Sequence, residues 1–319
     1  MTEFKEPIRD IAYLAHIELL TPKPDESLAF FRELMGMEAI HSERQSVFLR
    51  GWGDESLYSL KLTEAKHAGL GHVGLRSFSP AALDRRAQAI ERSGLGIGWS
   101  DGDYGHGKTY RCTDADGHAV ELYYEAEKYV APPSLKPSLK NLPQKYAARG
   151  ASVTSLDHIN LFSSNVDGDS AFWQEKLGFR LSEQAITDQG SKVTAWLHVT
   201  NKSYDLAISL DKTGTKGRFH HAAFKVESSE MVLRAADIFL DHGIFIEASP
   251  SKHVAGQTMF VYVYEPGGNR IEVCSGGFLI LSPDWETITW TPQERKKGLA
   301  WGNPLPATFH TYGTPVINP

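Results

Sequence analysis

Two histidines and a glutamate in the second half of the chain carry the plainest chemical signal. His158 lies in "SLDHINLF", His221 in "RFHHAAFKV" and Glu272 in "EPGGNRIEVCS", each an apolar stretch with strand character. Two neutral imidazoles and one carboxylate suit a divalent first-row metal. Three protein ligands on one face leave open positions opposite, as in non-haem Fe(II) sites that activate oxygen. A lone strand histidine is more often a hydrogen-bonded core or surface residue, so the inference rests on the set, whose members fall at the starts and the end of a repeated unit.

That unit is legible as an internal repeat. "YLAHIELL" (13–20) returns 142 residues later as "SLDHINLF" (155–162), and "FFRELMGMEAI" (30–40) returns at the same offset as "FWQEKLGFRLS" (172–182). The latter pair reads as amphipathic helices ending at Gly36 and Gly178 before the next strand. "GHVGLRS" (71–77) parallels "HHAAFKV" (220–226), and both precede strongly helical segments. "DADGHAVELYY" (114–124) parallels "EPGGNRIEVCS" (265–275), each a glycine-containing turn leading into a strand that carries Glu121 or Glu272. Strand, helix and three short strands, used twice per half, predict an α+β protein of four βαβββ modules. Each pair of modules would form an incomplete barrel around a cavity. The proline-rich stretch "APPSLKPSLKNLPQKYAARG" separates the halves. The expected division is an N-terminal domain over 1–130, a linker over 131–150, a catalytic domain over 151–276 and a tail over 277–319.

Composition bounds the alternatives. The chain has 319 residues, 41% hydrophobic and 23% charged, which suits two globular domains. The longest apolar runs, "MFVYVY" and "GFLIL", are far shorter than a membrane span, and the charged opening "MTEFKEPIRD" lacks the apolar core of a secretion signal. A cytoplasmic protein is expected. Cys112 and Cys274 are the only cysteines, too few for a disulfide framework or a Cys-rich metal site. A net charge of -6 without a strong basic block argues against nucleic acid as a partner.

Taken together, "SLDHINLF", "RFHHAAFKV", "SKHVAGQTMFVYVYEPGGNRIEV" and "PDWETITW" resemble the type I extradiol, or meta-cleaving, catechol dioxygenases of the vicinal oxygen chelate superfamily. The resemblance covers nearly the whole chain. It implies a two-domain fold of paired βαβββ modules, O₂-dependent cleavage of an aromatic diol beside its hydroxyls, and a homo-oligomer. It also implies that His158, His221 (the second member of the His220-His221 pair) and Glu272 hold Fe(II), or Mn(II). His253 and Tyr262, nineteen and ten residues before Glu272, match site positions that line the metal and hold the diol oxygen. Asn160 and Trp196 match substrate-pocket positions. At 204 the family usually carries an acid-base histidine; this chain has Tyr204, whose ordinary pKa near 10 makes it a hydrogen-bond donor rather than a base.

In the first half His16, His72 and Glu121 stand at the corresponding places and could form a second metal triad, but Arg111 replaces the tyrosine and Gly102 the histidine, so the default reading is a relic of duplication without the catalytic surround. No arginine appears in "EASPSKHV", where the homoprotocatechuate branch grips a carboxylate, so an uncharged mono- or bicyclic catechol is the expected substrate. Lys296 and Lys297 are the remaining candidate anion partners. The tail is expected to cap the cavity or a subunit interface. Rival readings on the same scaffold are a glyoxalase-like isomerase, with a further carboxylate ligand and no Tyr262, and a binding module with no metal triad.

Overall fold

The computed structural model describes residues 9–315. The first half forms β1 (Ile11–Thr21), β2 (Glu38–Glu43), β3 (Ser46–Arg50), β4 (Leu60–Glu64), β5 (Gly69–Ser77), β6 (Gly96–Ser100), β7 (Thr109–Thr113) and β8 (Ala119–Tyr123), of which β1, β5 and β8 are largely buried apolar runs at the centre of the sheet. The second half repeats the plan with β9 (Ser155–Ser163), β10 (Arg180–Ile186), β11 (Lys192–His198), β12 (Leu206–Leu210), β13 (Phe219–Lys225), β14 (Ile246–His253), β15 (Thr258–Tyr264) and β16 (Arg270–Gly276). The tail adds β17 (Ile288–Trp290) and β18 (Leu299–Trp301).

One helix follows the first strand of each module: α1 (Pro24–Ala29), α2 (Pro80–Glu91), α3 (Val166–Glu175) and α4 (Ser229–Asp241). α1 and α3 start earlier than the apolar periodicity alone predicts. Pro24 occupies the first turn of α1, which continues as a wider turn over Phe30–Leu34, and the Asn165 side chain caps the start of α3. Both end at the expected glycines, whose φ values of +79° at Gly36 and +77° at Gly178 require the left-handed region.

The eight strands of the first half form one sheet in the order β2-β3-β4-β1-β5-β8-β7-β6. The second sheet runs β17-β10-β11-β12-β9-β13-β16-β15-β14-β18. In each sheet two βαβββ modules meet along their first strands, β1 against β5 and β9 against β13, both antiparallel. Neither sheet closes, so the fold is α+β with two open, curved sheets. A continuous apolar core joins the halves; Phe30 beyond α1 stacks on Phe239 of α4 with ring centroids 5.8 Å apart. No helix among the described residues is long and apolar enough to cross a membrane.

Candidate metal centre

The seam of the second sheet positions the site. Ala223 on β13 pairs with His158 on β9 and with Glu272 on β16, and His221 pairs with Asn160. Residues level across neighbouring strands, or two apart along one strand, share a sheet face, so His158, Asn160, His221 and Glu272 all project to the same side. Tyr262 on β15 is directly opposite Glu272 and extends that row.

His158 Nε2 lies 3.2 Å from Glu272 Oε2, His221 Nε2 lies 3.1 Å from the same oxygen, and the two Nε2 atoms are 3.4 Å apart. Ligands at right angles about 2.1 Å from one ion would be separated by about 3.0 Å, so the three atoms have the spacing of one triangular face of a coordination sphere. The other ring nitrogens fix the tautomers. His158 Nδ1–H donates to Asp157 Oδ1 at 2.8 Å. His221 Nδ1–H donates to His220 Nδ1 at 2.6 Å, while His220 Nε2–H donates to the Phe309 carbonyl at 2.7 Å. Both Nε2 atoms therefore face the common centre, while each Nδ1 has the outer support that metal-bound histidines receive. Glu272 is fully buried and its Oε1 has no hydrogen-bond partner, an unmet acceptor that a cation would satisfy. The residues present fit a divalent ion.

Electrostatics agree with the geometry. Burial opposes ionisation of Glu272, yet the two imidazoles hold its carboxyl well below the usual range. Burial also works against charge on His158, but the Glu272 and Asp157 carboxylates outweigh it and raise its pKa to about 9. Burial dominates at His221 and lowers it to about 4. Asp157 is itself held down to about 2, against the cost of burial, chiefly by Lys202, whose ammonium also pairs with Asp205 at 3.0 Å.

A cavity of about 580 Å³ opens from this face, lined by His158, Asn160, Trp196, Tyr204, His221, His253 and Tyr262 together with tail residues that include Trp290, Arg295, Phe309 and His310. Seven of the eight residues singled out in the second half thus line one cavity, and the eighth, Glu272, lies directly against His158 and His221. Tyr262 OH and His253 Nε2 are 3.0 Å apart, and His253 stacks on Phe260 at 4.0 Å. Burial, and then the Glu272 charge, push the Tyr262 phenol up, while burial lowers His253 to about 4, so both are uncharged near neutrality. Tyr204 presents its ring edge to His158 at 4.5 Å, and its pKa is likewise raised by burial and Glu272. Asn160 Oδ1 has no partner within the protein.

Apart from Lys296 and Lys297, the tail residues were not foreseen individually. Trp290 Nε1–H donates to Glu183 Oε2 at 2.7 Å, and Arg270, paired with Glu247 at 2.5 Å, donates to the carbonyls of Thr308 at 3.1 Å and Tyr312 at 2.9 Å. These buried anchors hold the tail over the cavity. Lys296 is at the cavity wall; Lys297 is not. The backing role of His220 was also missed, because nothing in a His-His dipeptide says which ring nitrogen faces which neighbour.

The sequence matches the Glyoxalase/Bleomycin resistance protein/Dioxygenase superfamily over residues 13–122 and 155–273, one stretch in each half. It is 45% identical over 316 residues to a metapyrocatechase of Geobacillus stearothermophilus, covering 98% of this chain and 96% of that one. It is 34% identical over 299 residues to a manganese-dependent 2,3-dihydroxybiphenyl 1,2-dioxygenase of Geobacillus genomosp. 3, covering 92% and 95%. The crystal structure of homoprotocatechuate 2,3-dioxygenase from Arthrobacter globiformis superposes with a TM-score of 0.85 at 25% identity, covering 98% of this chain and 94% of that one. The chain belongs to the Glyoxalase/Bleomycin resistance protein/Dioxygenase superfamily and, within it, to the extradiol ring-cleaving dioxygenases.

Proposed function

We propose that the protein cleaves the ring of an aromatic ortho-diol beside its two hydroxyls, consuming dioxygen, with Fe(II) or Mn(II) held by His158 Nε2, His221 Nε2 and Glu272 Oε2. The observation that carries this reading is the three-donor face at 3.1 to 3.4 Å spacing, opening onto a cavity that also receives Tyr262 and His253. Both metals stay in the proposal because one relative is named manganese-dependent. The cation would lower the pKa of a diol hydroxyl and provide an electron path between diol and dioxygen.

The chain's own residues do the rest. Tyr262, a neutral phenol, donates a hydrogen bond to an oxygen of the bound diol. Its bond to His253 Nε2 fixes the direction of that donor and gives a displaced proton somewhere to go. Tyr204 is uncharged at any working pH and serves as a second donor, so no base is available from that position. Asn160 offers an unpaired amide oxygen to substrate or to water. The tail closes over these groups and limits the water that reaches them, which strengthens each of their interactions. A phenol at 262 also favours this reading over the isomerase alternative.

The substrate is proposed to be an uncharged mono- or bicyclic catechol. The inner walls are apolar at Ala185, Val193, Trp196, Leu210, Leu305 and Phe309. The basic groups Lys212, Arg295 and Lys296 are solvent-exposed at the rim, with Glu294 among them to offset their charge. The cavity volume is within the range of pockets that enclose substituted small molecules. Oxygen uptake by the Fe- or Mn-loaded protein across a panel of catechols tests the proposal. One O₂ consumed per diol, with a coloured ring-opened product, is expected; no uptake with any catechol after full loading would refute it.

A further inference from the structure

We propose that Asp114, His118 and Asp169 form a second metal site, a divalent first-row cation of the zinc class bridging the two halves and independent of the diol-cleaving centre. Asp114 opens the turn between β7 and β8 and His118 ends it, whereas Asp169 belongs to α3 of the other half. One ligand atom from each lies within 4.8 Å of the other two.

Each donor is prepared. Asp114 Oδ1 accepts the backbone N–H groups of Asp116, Gly117 and His118 at 3.0, 2.8 and 2.8 Å, which orients Oδ2 toward His118 Nδ1 at 2.8 Å. His118 Nε2–H donates to the Arg218 carbonyl at 3.1 Å. That second-nitrogen bond is the usual support of a ligating imidazole, and a cation replacing the proton shared by Nδ1 and Asp114 Oδ2 would be held by both. Asp169 is 1% exposed, and neither of its oxygens has a hydrogen-bond partner. The Ser163 hydroxyl faces it without reaching bonding geometry.

The pseudo-symmetric place in the other module pair shows what this arrangement lacks. There Glu265, Asn269 and Ser27 occupy the positions of Asp114, His118 and Asp169. Ser27 Oγ–H donates to Glu265 Oε2 at 2.5 Å, and Asn269 Nδ2 donates to Glu265 Oε1 at 2.9 Å. A hydroxyl and an amide satisfy that carboxylate. At Asp114 the hydroxyl has become a second buried carboxyl, and two such groups are stable together only if a proton or a cation is shared between them. An imidazole nitrogen with two carboxylates selects zinc-like ions over calcium or magnesium, which prefer oxygen alone.

The test uses the full chain, stripped with chelator, titrated with Zn²⁺, desalted and counted by mass spectrometry. Wild type should retain about two zinc ions per chain, Asp169→Ser about one, Glu272→Ala about one and the double variant none. Serine is chosen because it restores the contact seen at Ser27, so the variant should fold. If Asp169→Ser fails to fold, Glu272→Ala alone still reads the site: its remaining zinc should raise Tm by about 5 °C. One ion in wild type with none in Glu272→Ala would overturn the proposal and leave the cluster holding protons only. A second ion that survives Asp169→Ser would overturn it too, by placing that ion elsewhere. Failure of the diol-cleaving centre would show separately, as lost oxygen uptake.

Discussion

The two halves carry the same three ligand-type residues at the same sheet positions, His16, His72 and Glu121 against His158, His221 and Glu272, yet their neighbours treat them differently. In both halves each histidine gives Nδ1 to the protein and turns Nε2 toward its partner histidine. In the first half Glu18 stands where Asn160 stands and takes His72 Nδ1 at 2.9 Å; His16 and His72 bond each other through Nε2 at 2.8 Å; Tyr123 OH is 3.2 Å from His16 Nδ1. Arg111, level with Glu121 as Tyr262 is with Glu272, pairs with that glutamate at 3.1 Å. Gly74 stands where Ala223 stands, and a Cβ there would come within 2.1 Å of the His16 ring. The Nε2 atoms of His16 and His72 still face Glu121, whose Oε2 is 3.5 Å from His72 Nε2, but the Arg111 guanidinium occupies the other carboxylate oxygen and Tyr58 and His106 pack against His16. What separates the halves is the surround: Tyr262 and His253 beside one glutamate, Arg111 against the other.

The largest way to break this comparison is at the carboxylates. Glu272→Ala should lose metal and lower turnover by about 10³-fold or more while remaining folded, whereas Glu121→Ala should leave metal-dependent turnover near wild type. Metal analysis, circular dichroism and oxygen uptake on both variants decide it, and retained iron and activity in Glu272→Ala would contradict the ligand assignment. Next is the support of His158. The first half has Ala15 at the place of Asp157, so Asp157→Ala copies that half into the other. Metal affinity should fall about 10- to 100-fold, with turnover largely restored at saturating metal. Unchanged affinity in a metal titration would mean that the Asp157 bond at 2.8 Å does not orient the ring.

The reverse exchange acts on packing. Gly74→Ala should destabilise the protein by about 1–3 kcal/mol, because the His16 ring fills the space the methyl would need. Urea unfolding at fixed metal occupancy measures it, and turnover should not change. A midpoint equal to wild type would show that the ring moves aside freely.

Much of this architecture was legible in the sequence because it is periodic. The 142-residue offset, the glycines at 36 and 178 and the strand character around each histidine are local signals, and local signals suffice to place four βαβββ modules. Tyr262 and His253 were placed at the site by the family resemblance, not by any local pattern. What stayed hidden depends on contacts between distant segments. Glu183 to Trp290, Arg270 to Thr308 and His220 to Phe309 span 107, 38 and 89 residues, and no pattern in 277–319 announces them. The closed hydrogen-bond network of the first half was hidden for the same reason. Arg111 opposite Glu121 was visible from spacing, but Glu18 and Tyr123 become partners of the histidines only once strands β1, β5 and β8 lie side by side.

Position 204 sharpens the comparison at its subtlest point, because here the halves agree. Strand β12 pairs with β9 as β4 pairs with β1, which sets Tyr58 where Tyr204 is, and both rings lie against the first-strand histidine, at 4.9 and 4.5 Å. Tyr204 fits because residue 256 is glycine: a Cβ there would approach the Tyr204 ring to 2.4 Å. A smaller imidazole would fit without strain, so Tyr204→His should shift Tm little. Its effect belongs to chemistry. The phenol stays protonated across the working range, held up first by burial and then by Glu272, and cannot impose an ionisation on turnover. An imidazole with an ordinary pKa near 6.5 would introduce one, so the kcat profile of the variant should acquire a new limb near that pH, with a several-fold change in rate or in preference among catechols. Identical profiles for variant and wild type would make residue 204 a packing residue in both halves, and would move all proton handling to the Tyr262–His253 pair.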